Sequence, residues 1–231
     1  MDNQKNLDDF EDRINKIKLL YGNRDAIIEY LKNLTDIIQK YQLECCLKKK
    51  NDSIPEYLDY VNAFGKGYGS FNLDVTNVKI EVDLSKDPVI SSVWNHLSLD
   101  NALKTIGDGC HFVGDKKENV FKCDSNHRII HIYPLGINVV NNGYHSIYSG
   151  MAKRKGIVMV TKIIDITKSF STIQYNSNGV LINGKTNSDI PLQSIKEIAI
   201  IYEIGRLMME SKQEYIYPEI IEYINNNKEY N

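Results

Sequence analysis

The chain has 231 residues, enough to bury a full hydrophobic core, and its length fits one elaborated domain or a core with appendages better than two equal domains. With 28 Lys and Arg against 30 Asp and Glu, its formal charge is -2 and its pI near 6.2, which argues against DNA binding driven by bulk charge. Four cysteines, two of them adjacent at Cys45 and Cys46, do not form the framework of a small secreted scaffold.

The opening residues, MDNQKNLDDFEDR, are acidic and polar where a signal peptide would be basic and then apolar. No apolar run approaches the roughly 18 residues that suggest a membrane helix. The expectation is a cytoplasmic protein with reduced thiols and no membrane partner. The richness in Asn, Ile, Lys and Tyr resembles that of proteins from AT-rich bacteria and their phages.

Leu7, Phe10, Ile14 and Ile17 recur at helical steps, as do Ile27, Leu31, Leu34, Ile38 and Tyr41, so two amphipathic helices open the chain. Gly22 is placed to stop the first and Asn23 to cap the second. The lysines of Leu47 to Asp52 suit a solvated helix end better than a nucleic-acid patch. From Asn51 to about Lys86 the pattern loosens. FGKGYGSFN lacks the Gly-Lys-Ser/Thr and following helix of a phosphate loop, so a flexible connection is expected before the alternating strand NVKIEVDL.

After Pro88, Ser98 or Asp100 is positioned to cap a short helix that Gly107 ends. HFVG, KKENVFKCD and HRIIHIYPLGINVV then read as strand, loop and strand, with Pro134 marking a bend. VVNNGYHSIYSGMAKRKG passes from apolar residues through a glycine turn into a helix, and IVMVTKIIDI reads as a strand buried on both faces. Strand, helix and strand in that span predict a right-handed parallel crossover. TIQYNSNGVLINGK suggests a hairpin turning at Asn178-Gly179. Ile195, Ile198, Ala199, Tyr202 and Met208 then lie at helical steps, and a last short helix precedes the polar tail.

The chemistry concentrates at the glycine turn. Gly143 suits a tight strand-to-helix turn and Gly156 the C′ position of the helix. His145 and Ser146 then fall in the first turn, where free N–H groups and the positive end of the dipole can hold a phosphate. Lys153, Arg154 and Lys155 at the far end match the negative pole, a role in helix termination more than in ligand binding.

Gly143, His145 and Gly156, followed by the strand IVMVTKIIDI, resemble the ParB/sulfiredoxin-like superfamily, over about Pro88 to Thr167. That resemblance implies an α+β fold with an α/β core and a turn that binds nucleotides or similar phosphates. Ser146 stands where the phosphate-gripping Arg of that pattern would be, and Tyr144 where the sulfiredoxin cysteine would be. Sulfiredoxin chemistry is thereby excluded, and Ser offers one hydroxyl where Arg offers a charged fork.

A closer resemblance is to an uncharacterised bacterial and prophage family with the motifs IS-x-x-W-x-H, N-H, P-x-G-I, G-x-H-S-I-x-x-G and E-I-G-R-L-M. Here these are Ile90, Ser91, Trp94 and His96; Asn126, His127, Pro134, Gly136 and Ile137; Gly143, His145, Ser146, Ile147 and Gly150; and Glu203 to Met208. The likeness implies kinship and no particular activity.

His96, His127 and His145 belong to these motifs, whereas His111 and His131 do not. Brought to one pocket, the three could bind a divalent transition metal or divide into a base and its orienting partners; singly, each reads as a hydrogen-bonded core histidine. Cys110, His111, Cys123 and His127 form a second, irregular metal set. Ser146 as a nucleophile would need His127 or His96 as base, because the next residue on a helix points about 100° away. Trp94 reads first as a core anchor and second as a stacking surface for a base or sugar. Arg206 could serve a structural ion pair or a phosphate.

The sequence thus predicts a helical region over 1–50, a linker and peripheral strand over 51–86, a ParB/sulfiredoxin-like core over 87–170, and a hairpin with helices over 171–231. The expected function is binding of a nucleotide or other phosphate-bearing ligand, with hydrolysis or transfer at a phosphate ester as the expected class if it is an enzyme. In that scheme His145, His127, His96 and Ser146 are catalytic, and Gly143, Tyr144, Asn126 and Trp94 contact the ligand. The alternative is a non-enzymatic interaction module of a prophage or defence locus. A DNA-binding factor ranks last, since no helix-turn-helix or basic face is evident.

Overall fold

The computed structural model describes residues 2–48, 60–64, 70–75, 79–106, 121–176, 179–182, 185–187, 195–210 and 216–227. The fold is α+β around a mixed sheet. Two helices open it, α1 (Asp2–Lys18) and α2 (Arg24–Lys48), followed by a short α3 (Tyr60–Ala63). Strands β1 (Phe71–Asp74), β2 (Glu81–Asp83) and β3 (Val89–Ile90) lead to α4 (His96–Thr105). The hairpin β4 (Arg128–Tyr133) and β5 (Ile137–Asn142), then α5 (Tyr144–Ala152) and β6 (Ile157–Asp165), complete the core. A small antiparallel sheet, β7 (Ile173–Asn176), β8 (Gly179–Ile182) and β9 (Lys185–Asn187), precedes α6 (Ile195–Glu210) and α7 (Pro218–Asn227).

The helical periodicities translate into buried stripes. Phe10 and Ile17 of α1, and Ile27, Leu31, Leu34 and Ile38 of α2, are buried in one apolar cluster with Ile198, Tyr202 and Ile220. Gly22 takes φ 84°, and the Asn23 side chain accepts the amide of Ala26 at 3.1 Å, so the first helix stops and the second is capped as expected. α1 and α2 both pack on α6, and α2 also covers β3.

In the six-stranded sheet the order is β1-β6-β4-β5-β3, with β2 also on β6. β6 lies between β4, its parallel partner, and the antiparallel β1 and β2, which pair with its two halves. Its second half, Ile163, Ile164 and Asp165, is buried on both faces. This corrects the expected crossover. β4 is antiparallel to β5 and parallel to β6, so β5 and β6 run in opposite directions with β4 between them. The parallel pairs are instead β4 with β6 and β3 with β5. Strand order is settled by long-range pairing: the buried β4 residues Ile129 to Tyr133 need partners along both edges.

Two smaller expectations change as well, and a third holds. The stretch read as a flexible connection holds a fully buried Phe64 and the start of β1, while 65–69 lie outside the described residues. The cap of α4 is Asn95, whose Oδ1 accepts the Ser98 amide at 2.8 Å, in place of Ser98 or Asp100; Gly107 and HFVG lie outside the described residues. β7 pairs with β8 as the predicted hairpin, Asn176 opposite Gly179, and the turn residues 177–178 are also outside.

Candidate functional site

The open end of the β4–β5 hairpin builds the site. Gly143 follows β5 with φ 79° and ψ 28°, the left-handed region in which a side chain costs about 1–2 kcal/mol. A Cβ there would also sit 2.6 Å from Cδ2 of His127 and 3.1 Å from the carbonyl of Asn126. Glycine is therefore required twice, by the backbone and by the ring laid against it. The ladder is bulged at Arg128/Ile129, which re-aims the chain where His127 enters β4.

His127 is buried, with its ring 5.0 Å from that of Phe121. Its Nδ1 accepts the backbone amide of Asp124 at 3.0 Å, and its Nε2 lies 2.7 Å from Ser146 Oγ. An accepting Nδ1 leaves the proton of the neutral ring on Nε2, so His127 donates to Ser146. The Ser146 hydroxyl in turn donates to the carbonyl of Gly143 at 3.0 Å. Burial lowers the His127 pKa from its ordinary value, against the pull of the Asp124 carboxylate, whose Oδ1 is 3.2 Å from Nδ1.

His145 is wired the same way from the other side. Its Nε2 accepts the amide of Asn95 at 3.2 Å, which leaves Nδ1 protonated in the neutral ring, and burial lowers its pKa too. The Trp94 ring meets it edge-on, centroids 5.4 Å apart at 63°. Trp94 is 47% exposed, which overturns its reading as a core anchor.

The motif around Ile90 and Ser91 locks α5 to the sheet. Ser91 exchanges two backbone bonds with the buried Gln39 carboxamide of α2, at 2.7 and 2.8 Å, and its hydroxyl donates to the carbonyl of Tyr144 at 2.8 Å. At the other end of α5, Ser149 bonds the Ala102 carbonyl at 3.1 Å, and Lys153 Nζ bonds those of Leu103, at 2.7 Å, and Ile106. Lys153 thus caps α4, whereas the sequence assigned it to its own helix. Arg154, with φ 52°, holds the C′ position: its amide bonds Met151 O and the Lys155 amide bonds Gly150 O. Gly156, expected there, lies two residues further on, with φ 116° and no room for a Cβ against Phe121.

Between α4 and the start of α5 lies an open cavity of about 350 Å³. Gly143, Tyr144, His145, Ser146 and Trp94 all line it, facing Ser98, Asn101 and Thr105 of α4. The structure thereby gathers five of the eight expected site residues. His127 reaches the cavity only through Ser146. Asn126 is exposed, and its amide donates to Asp124 Oδ1 at 2.8 Å. His96 is exposed at the first position of α4 and does not line the cavity. Asp124, Asn95, Asn101 and Asn142 were not singled out from sequence. Asp124-x-x-His127 is a turn signature that could have suggested the first of them, and its position just before the apolar steps of α4 could have suggested Asn95.

Among the described residues no group of His, Cys, Asp and Glu is placed to hold a metal ion; Cys110 and His111 lie outside them. Arg206 bonds Glu203 at 3.1 Å and the carbonyls of Phe170 and Ile173 at 3.0 Å, a structural role. A larger groove of about 860 Å³ runs between α2, the β2–β3 turn and the second half of α5, but none of the motif residues lines it. No helix among the described residues is long and apolar enough to cross a membrane.

The chain belongs to a family of unknown function, DUF6710, whose profile matches residues 2–215. The expected kinship to an uncharacterised family agrees with this. No curated protein and no solved structure matches the chain.

Proposed function

We propose that the cavity at the start of α5 binds a phosphate-bearing ligand, nucleotides included, as a recognition site. The observation that carries this reading is the 2.7 Å contact between His127 Nε2 and Ser146 Oγ beside Gly143. Because Ser146 accepts from the ring, its own proton is free to leave the Gly143 carbonyl for a ligand oxygen. The first amides of α5 add donors and the positive end of the dipole. The order β5, glycine turn, α5, β6 is also the order of a ParB/sulfiredoxin-like core, which supports that kinship and phosphate binding at this turn.

Both histidines spend their accepting nitrogen on a backbone amide. A general base needs that lone pair, so the arrangement favours binding over acid–base chemistry. The test is calorimetry with inorganic phosphate and methyl phosphate on the intact chain. Ser146→Ala and His145→Ala are each expected to weaken binding about tenfold with the fold kept, the worth of a charge-assisted hydrogen bond. Affinity unchanged in both variants would remove the reading.

One observation favours a second reading. Asp124 Oδ1, His127 and Ser146 stand in the order of a nucleophilic triad, at 3.2 and 2.7 Å. It requires the other tautomer and the loss of the Asp124 amide bond. Release of p-nitrophenol from a p-nitrophenyl phosphate ester, abolished in Ser146→Ala, would establish it; no release from the wild type would dismiss it.

A further inference from the structure

We infer that this cavity takes a nucleoside monophosphate, its base against Trp94 and its one phosphate at Ser146, in preference to nucleoside di- or triphosphates. The inference rests on the phosphate-binding reading above and names the ligand within it.

Three observations about the cavity walls carry it. The first is charge. The described residues lining the cavity are Trp, Ser, Asn, Thr, Ala, Ile, Gly, Tyr and His, with no Lys, Arg, Asp or Glu among them. Each added phosphate brings negative charge that must leave water, and without a cation opposite, that desolvation is uncompensated. Lys153, on the same helix, is occupied by the carbonyls of Leu103 and Ile106 at the far end of α4. One phosphate can be held by neutral donors; a chain of them finds no counter-charge among the described residues of the walls.

The second is size. A volume of about 350 Å³ is near the lower end for small-molecule pockets, which run from roughly 300 to 1,000 Å³. The third is the wall itself. The only tryptophan in the chain stands 47% exposed at this cavity, braced by His145. Around it are the carboxamides of Asn101 and Asn142 and the hydroxyls of Ser98 and Thr105. A flat π-face bordered by groups that both donate and accept matches a nucleobase, whose face stacks and whose edge alternates donors and acceptors. A bare sugar phosphate would leave the indole unused.

The single tryptophan is also the probe. Titrations of the intact chain with AMP, GMP, CMP and UMP are followed by Trp94 fluorescence and by calorimetry, beside the nucleosides, ribose 5-phosphate, the triphosphates without metal, and a tetranucleotide. The expected result is quenching by at least one monophosphate, which binds about tenfold or more tighter than ribose 5-phosphate, the usual worth of a base stacked on an aromatic ring. Its triphosphate and the tetranucleotide bind no tighter. Trp94→Ala, measured by calorimetry, brings the monophosphate down to the affinity of ribose 5-phosphate and leaves the latter unchanged.

Ribose 5-phosphate matching every monophosphate, with binding still lost in Ser146→Ala, would overturn base recognition and leave the anion site standing. A nucleoside matching its monophosphate would overturn both this inference and the phosphate reading, and so would failure of every compound to bind. A triphosphate or tetranucleotide binding more than about tenfold tighter would overturn the single-phosphate assignment, since it would reveal counter-charge that the described residues of the walls do not carry.

Discussion

The β4–β5 hairpin carries a histidine near its middle and another at its open end, and their surroundings differ in one decisive respect. His131 is 1% exposed; its Nδ1 bonds Asn138 Oδ1 at 2.9 Å, Asn138 bonds the carbonyl of Pro88 at 3.1 Å, and Tyr217 meets the ring edge-on. Every polar group in that chain bonds another protein group. His127, almost as buried, passes its proton to Ser146, a hydroxyl that lines an open cavity. A buried imidazole is structural when its hydrogen bonds close on the protein, and points to function when they end at a group with room beside it.

The largest test of that contrast is acid. Burial pushes the His131 pKa down from 6.5 to about 4. The unfolded chain therefore binds the proton first, and stability falls as the pH drops from about 6.5 towards 4, by roughly 3 kcal/mol in all. His127 and His145, also depressed by burial, add loss of the same sign over the same side of neutrality. Urea unfolding across that range should show the slope, and His131→Gln should flatten most of it; an unchanged slope would place the acid sensitivity elsewhere.

Gly143→Ala comes next. A left-handed alanine whose Cβ meets His127 should cost about 2 kcal/mol and displace the ring from Ser146, so stability and ligand binding fall together. Loss of stability with unchanged affinity for inorganic phosphate would separate the turn from the site.

These two positions also show what the sequence could disclose. Gly143, His145 and Ser146 were legible because a glycine between a strand and an amphipathic helix has few local meanings. His127 was legible as one of two candidate partners of Ser146, beside His96, because His145, next to it on a helix, points elsewhere. The stripes of α1, α2 and α6 follow from spacing alone, as Ile27, Leu31, Leu34 and Ile38 illustrate. What stayed hidden depends on distant pairing. Nothing local places β4 between β5 and β6, or sends Lys153 to the end of α4. Asn95, Ser98 and Asp100 are all capping residues within six positions, and only the packed helix selects the first. The exposure of Trp94 depends likewise on how α4 meets α5.

Smaller effects sharpen the comparison. Ser146→Ala leaves the His127 donor without its acceptor and should cost about 1 kcal/mol in urea unfolding, alongside its roughly tenfold effect on binding. Arg154→Gly, at the closed end of α5, should do the opposite: it relieves a left-handed arginine and should raise stability by about 0.5 kcal/mol with phosphate affinity unchanged. A destabilised Arg154→Gly would mean that the arginine side chain makes a contact worth more than the strain it carries.

The account turns on whether the donors at the start of α5 face a ligand. Amide and indole resonances followed by ¹⁵N–¹H NMR during titration with a nucleoside monophosphate measure this directly. The account predicts that the largest shifts fall on residues 143–147 and on the Trp94 indole, with His131 and its neighbours still. Shifts centred on the α2 groove, or none at the start of α5, would contradict it.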